Sequence, residues 1–407
     1  MIKLIKFTFS SNSWKLAQFS LILNESLLGF LTGFLIIYGF AEQYILLALS
    51  FLYFFVATFF LLFKNIILNK EKIIFNIILI SVFVFSISSY FFIDLKIFTI
   101  ILSSFLVLLF KDLSGVNSFS EINSIAEKNN INTVQLLSFS VIISMLISAF
   151  MFPFLGFVFD YNSDLVFLLS TFLIFIILYF INFRLKFKFQ QKTLKNKLKT
   201  PKIVLFQCFL STLYNSSSFL ITRFTIPLFI IEIGQKYNFN GGFFKYIGAF
   251  LGFIALLNLV SRFSNPKIKI DPIKMMFLNY FISIFCFILI GILFYMVRIE
   301  ENMKILNYYL LLIALLFCIY NFSSKFWSIG FLENLKNLSK EHSTSENSEL
   351  LYKSYLNIFM SYKNYGAFLG FFFSFVFYSF MNVEIILIIL GVISILYGFY
   401  SMKLLKQ

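Results

Sequence analysis

Charge, histidine and cysteine are all scarce in this chain. Only 13% of its 407 residues are charged, against about 25% in a typical soluble domain. That leaves too little polar surface to cover a water-soluble globule of this size, so lipid must solvate much of the exterior. The single histidine, His342, lies in a polar stretch of Ser, Thr and Glu, which excludes chemistry built on an intramembrane imidazole. Cys208, Cys286 and Cys318 each sit inside an apolar run with no CxxC spacing, which excludes a disulfide framework or a zinc site. A Gly-rich phosphate loop is also missing, so an ATP-driven pump is excluded and no cofactor is expected. The basic N-terminal stretch MIKLIKFTFSSNSWK is followed by no small-residue cleavage site. The first apolar segment therefore reads as an uncleaved helix.

What the chain has in abundance is apolar sequence: 60% of residues are hydrophobic and the mean hydropathy is +0.91. A helix needs about 20 mostly apolar residues to cross a bilayer. On that criterion the sequence predicts twelve spans, at 17–40, 44–63, 73–93, 97–118, 136–157, 165–183, 206–231, 243–261, 275–296, 305–330, 355–379 and 383–402. The fold class is all-α and polytopic. The connecting segments 119–135 and 331–353 are polar and read as short surface helices or mobile segments.

The charges test this count. With the N-terminus inside, 24 of the 33 Lys and Arg residues fall in inside segments and only 5 in outside ones, as expected because positive charge resists translocation. The net charge of +15 is therefore chiefly a topology signal. The basic run RLKFKFQQKTLKNKLKTPK joins spans six and seven and reads as a loop facing anionic lipid. No nucleic-acid partner is expected. A multi-pass protein of the cell (inner) membrane with both termini cytoplasmic is.

The run at 184–202 divides the chain into an N-terminal six-helix bundle over 1–183 and a C-terminal one over 203–407. In this arrangement the chain resembles the major facilitator superfamily, although the loop after span two, FKNIILNKEK, lacks that family's Gly-x-x-x-Asp-Arg-x-Gly-Arg pattern. The resemblance implies a central cavity lined mainly by spans one, four, seven and ten, and movement of the two bundles against each other.

Ionisable groups inside a membrane cost several kcal/mol unless they face a cavity or a partner. The set here is Glu25 in span one, Lys111 and Asp112 in span four, Arg223 in span seven, Lys325 in span ten and Lys363 in span eleven. Five of the six fall on the implied cavity helices. Polar residues at helical spacing accompany them: Gln18, Glu25 and Thr32 on span one, and Ser211, Asn215, Ser218 and Thr222 on span seven. Hydrogen bonding between packed helices is the other reading of the hydroxyls. At 1.5 Å per residue, Glu25, Lys111 and Asp112 lie about 9 to 12 Å from the cytoplasmic edge, with Arg223 in the outer half. A solute is thus expected to meet Arg223, Lys111, Asn215, Lys325 and Gln18, and a coupled proton to use Glu25 or Asp112. An identical GAFLG recurs in spans eight and eleven, placing Gly248 with Gly252 and Gly366 with Gly370 at a spacing that permits close helix approach. Pro153 and Pro227 are candidate kink sites.

These features predict a secondary transporter, not an enzyme, acting as a monomer amid membrane lipid on a small polar, anionic or zwitterionic solute. A lipid or lipid-linked-sugar flippase of another twelve-helix fold, or an intramembrane transferase, stays open. The transferase would need a catalytic cluster that only Asp112 with Glu121 could begin.

Overall fold

The computed structural model describes residues 47–63, 149–158, 200–236, 244–264, 272–342, 348–378 and 383–405, together with isolated positions between 77 and 161. Every regular element among the described residues is helical. From the N-terminal half come α1 (Leu47–Phe63) and α2 (Ala149–Val158), in spans two and five. The C-terminal half supplies α3 (Lys202–Phe219), a π-helical turn (Leu220–Thr225), α4 (Ile226–Lys236), α5 (Phe244–Ser264), α6 (Pro272–Ile299), α7 (Met303–Glu341), α8 (Ser348–Tyr378) and α9 (Val383–Leu405). These seven helices and the π turn coincide with the last six spans read from the sequence, with α3, the π turn and α4 together forming span seven.

α6 packs along α7 on one side and α9 on the other, while α3 packs along α8. The faces left outward are apolar. Leu278, Phe281, Phe285, Ile292 and Tyr295 on α6, and Tyr308, Leu311, Leu312, Leu315 and Ile319 on α7, are all exposed and recur at three- and four-residue steps. Apolar surface of this extent marks a surface that meets lipid.

α7 and α8 both run past the span limits read from the sequence. The α7 continuation, Phe331 to Glu341, is about 16 Å long at 1.5 Å per residue, and His342 caps it, with Nδ1 2.8 Å from the Leu338 carbonyl. Much of the polar segment 331–353 is therefore ordered helix. The reason is amphipathic: Leu332, Leu335 and Leu338 on α7 share one buried cluster with Leu351, Tyr352 and Tyr355 on α8, so two polar-looking stretches hide an apolar seam between them.

Span seven is interrupted for a local chemical reason. Pro227, at the second position of α4, has no N–H to give to the carbonyl four residues back. The chain widens into the π turn just before it, where the Ile226 N–H bonds the Ile221 carbonyl and the Thr225 hydroxyl donates to the Leu220 carbonyl at 2.9 Å. The candidate kink at Pro227 is thus a π turn, and Arg223 stands on it.

Candidate functional site

Among the described residues the two halves meet along two lines. On the first, α1 lies against α8: Tyr53 stacks on Phe371 with centroids 5.5 Å apart, Phe54 meets Phe368 at 5.4 Å, and the Thr58 and Tyr365 hydroxyls are 3.1 Å apart. On the second, α5 lies against α2 through the first GAFLG. A side-chain carbon placed on Gly248 would collide with the Phe152 carbonyl, and one on Gly252 would lie 2.7 Å from the Ala149 carbonyl and 2.9 Å from the Pro153 ring. The Lys245 N–H, in the first turn of α5, donates to Asp160 Oδ2 at 2.8 Å. The second GAFLG serves a different contact: Gly366 and Gly370 let α8 close on α3 and the π turn, against Thr212, Asn215, Ser216 and Phe219.

One buried polar bond ties the halves together directly. Asp112, 1% exposed, accepts a 2.5 Å hydrogen bond through Oδ2 from Asn364 Nδ2 of α8. Asn364 is one member of a stripe the sequence reading passed over. Asn357, Ser361 and Asn364 are all buried and fall at steps of four and three residues, so they share one face of α8. Neither amide atom of Asn357 has a hydrogen-bond partner. An unsatisfied buried polar group costs about 1–3 kcal/mol, so this face of α8 carries hydrogen-bonding capacity in reserve. The signal was present in the sequence, because the seven-residue spacing that picked out Gln18 and Glu25 also relates Asn357 to Asn364.

Asn215 is buried in α3, with Nδ2 donating to the Ser211 carbonyl at 2.7 Å and its Cβ packed close to Gly366. Arg223 and Lys325 have their backbones placed on the π turn and on α7, while their side chains lie outside the described residues, as do Gln18, Glu25 and Lys111 entirely. The hydroxyls expected to join neighbouring helices mostly turn back on their own. Ser211 donates to the Cys208 carbonyl, Ser217 to Leu213, Ser323 to Tyr320, Ser324 to Asn321 and Ser361 to Asn357. In an apolar surround the helix's own carbonyl is the nearest acceptor. Thr212 is an exception that also reaches across, to the Tyr362 carbonyl at 3.0 Å.

Beside this region an aromatic block stiffens the C-terminal half. Tyr214 stacks on Trp327 with centroids 4.0 Å apart, Trp327 Nε1 donates to the Tyr280 hydroxyl at 3.2 Å, and Phe331 stacks beyond Trp327 at 5.1 Å. Each such pair contributes about 0.5–1.5 kcal/mol beyond its buried area. Farther along, Asn334 Nδ2 donates to Gln207 Oε1 at 3.0 Å, tying α7 to α3. Next to Asn334, burial pushes the Glu333 carboxyl up, and Lys336 lowers it by less.

Solved structures share this arrangement of helices. A point mutant of the nucleoside transporter NupG matches with a TM-score of 0.63 at 12% identity, over 97% of this chain and 99% of that one. This chain shares the fold of that solved structure. A bacterial homologue of the iron transporter ferroportin matches in its outward-facing state with a TM-score of 0.59 at 13% identity, covering 95% of this chain and 96% of the other. Its inward-facing state gives 0.58 at 14% identity, over 95% and 98%. No protein-family model and no curated protein sequence matches the chain. The shared fold thus persists here at 12–14% identity to these structures.

Proposed function

We propose that this chain is a secondary carrier that moves a small polar solute through a membrane by alternating access, the two halves rocking about the contacts between α1 and α8 and between α2 and α5. The observation that carries this reading is the Asp112–Asn364 hydrogen bond. A buried carboxylate of one half held by an amide of the other is stabilised by that bond while the halves stay together, and it gives a bistable latch once Asp112 can exchange Asn364 for a proton, Lys111 or solute. The empty hydrogen-bonding capacity of Asn357, on the same face, supports a path lined by α8 that becomes wet in another state.

The solved neighbours are a nucleoside transporter in one case and a homologue of an iron transporter in the other, so the shared fold leaves the cargo open. The charges narrow it. Arg223, on the π turn of span seven, together with Lys111 and Lys325, favours an anionic or zwitterionic solute, because a guanidinium binds a carboxylate or phosphate through paired hydrogen bonds. Asn215 and Gln18 complete the polar lining, and Glu25 and Asp112 are the coupling carboxylates. On the orientation that the loop charges favour, both termini are cytoplasmic and the Asp112 latch lies on the cytoplasmic side.

The test is a thermal-stability screen of the purified protein against metabolite anions, zwitterions and neutral solutes, since a ligand of the folded state stabilises it by about 2.7 kcal/mol at a hundredfold excess over Kd. A hit among the anions or zwitterions that is lost in Arg223→Ala, with folding intact, supports the assignment. Stabilisation confined to neutral solutes, or unaltered in that variant, rejects it.

A further inference from the structure

α5 begins with a charge of the wrong sign. A helix N-terminus is positively polarised and favours carboxylates, yet the first turn of α5 holds no acidic residue and carries Lys245 at its second position. The Lys245 ammonium lies 5.0 Å from the centroid of the Tyr246 ring. The first backbone N–H groups of a helix have no partner within it, and a side chain just upstream ordinarily caps them. At α5 a carboxylate reaches in from the other half of the molecule. Asp160 Oδ2 accepts a hydrogen bond from the Lys245 N–H at 2.8 Å, across 85 residues of chain. One contact thus supplies a hydrogen bond and the negative charge that the start of α5 lacks. We infer that Asp160 is a second latch between the halves, closing the end of the molecule opposite to Asp112, and that this end opens when the Asp160 carboxylate leaves the start of α5.

The place of Asp160 along the helix pair makes it the contact that can let go. α2 and α5 run antiparallel: Gly252 meets Ala149 and Pro153, Gly248 meets Phe152 and Gly156, and Lys245 meets Asp160. From Gly252 to Lys245 the seam is about 10 Å long at 1.5 Å per residue. Both glycines are buried, and there the backbones leave no room for a methyl group. Asp160 and Lys245 are only part-buried, so water takes up both hydrogen-bonding groups as soon as the helices part, at little net cost.

On the topology read from the sequence, span four ends shortly after Asp112, and span five returns across the membrane to end just before Asp160. The two carboxylates therefore stand at opposite ends of the molecule. Each belongs to the N-terminal half and each is held by a donor of the C-terminal half, Asp112 by α8 and Asp160 by α5. A body that rocks between two states needs a releasable contact at each end. The Asp160 latch rests on the reading of the chain as a rocking carrier.

The test places spin labels at Phe157 and Tyr308, exposed positions in the two halves near that end. Their separation is measured by pulsed electron resonance in the purified full chain in lipid at neutral pH. Asp160→Ala should shift the ratio of the short to the long population toward the long one by about fivefold. Asp160→Asn keeps an acceptor without the charge, so it should shift the ratio in the same direction by less, and it answers the question should Asp160→Ala fold poorly. Lys245→Gln retains the main-chain donor and should also move the ratio less than Asp160→Ala. An equal shift in Lys245→Gln would overturn the main-chain latch in favour of an ion pair between side chains. Two populations in wild type whose proportions neither Asp160 variant alters would overturn the latch alone. One fixed distance in wild type and in both Asp160 variants would overturn the latch and the rocking reading together.

Discussion

Asp112 and Asn364 show how much one pair of side chains can carry. A carboxylate at 1% exposure tolerates burial only with a hydrogen-bond donor or cation at hand, and Asn364 supplies the donor from the opposite half. Removing one partner of a buried charged hydrogen bond is costly because the other loses a bond that water cannot replace there. Asn364→Leu should therefore destabilise the state described here by about 1–3 kcal/mol, read as a fall in melting temperature, whereas Asp112→Asn, which keeps a hydrogen-bonding amide, should lower it less. Equal melting temperatures for wild type and Asn364→Leu would show that the bond contributes nothing. Glu333 offers a separate check by pH. Its carboxyl is raised by burial, so its contribution favours the folded state while it is protonated and is lost as pH rises through that raised value. Glu333→Gln should accordingly flatten the decline of melting temperature above the ordinary carboxylate range, and an unchanged slope would place the cause elsewhere.

At this scale the sequence was legible for charge and less so for amides. Asp112 stood out because an ion in an apolar run is conspicuous. Asn364 and Asn357 did not, because a neutral amide raises no alarm until the facing helix is known. The hydroxyls were legible as polar positions only. Their choice of acceptor depends on how near the neighbouring backbone comes, which no spacing rule states.

Among the elements, span seven and the GAFLG helices make different demands on the backbone. A break at Pro227 could be read from proline chemistry, but its form, a π turn held by the Thr225 hydroxyl, depends on which carbonyls the neighbouring turn leaves within reach. The two GAFLG motifs are identical in sequence and unlike in use. The α5 copy meets the other half of the molecule and the α8 copy meets α3 of its own half, because the surroundings of a helix are set by topology and not by its own letters. Gly248→Ala should cost about 1–3 kcal/mol through overpacking against α2, since even a methyl group collides with the Phe152 carbonyl. Gly398→Ala is the control. Its nearest neighbour would be the Tyr280 side chain at 3.8 Å, an ordinary contact, so its melting temperature should match or slightly exceed that of wild type, Ala being the better helix former. Because Ala is the better helix former, propensity works against any loss, and equal losses in the two variants would mean that the α2–α5 contact does not explain the effect. Helix existence was legible throughout the C-terminal half because long apolar runs admit few alternatives. Helix ends were not, and α7 and α8 outrun their spans because leucines among polar residues form a seam only when the two helices are side by side.

For the whole molecule, the loop charges and the six-plus-six division pointed to the fold that the solved transporters share. That match compares equally well with an outward-facing and an inward-facing structure, so the static arrangement leaves the motion to be measured. If the chain is a rocking carrier, the gaps between halves at the two ends must change in opposite directions. Spin labels can be placed at exposed positions that straddle the halves, Leu62 with Asn337 at one end and Tyr161 with Tyr308 at the other, and their separations measured by pulsed electron resonance in lipid at pH 5.5 and 8 and with a stabilising solute. The account predicts two populations at each end that trade places reciprocally, one pair lengthening as the other shortens. A single fixed distance at both ends under every condition, or both pairs changing in the same sense, would contradict it.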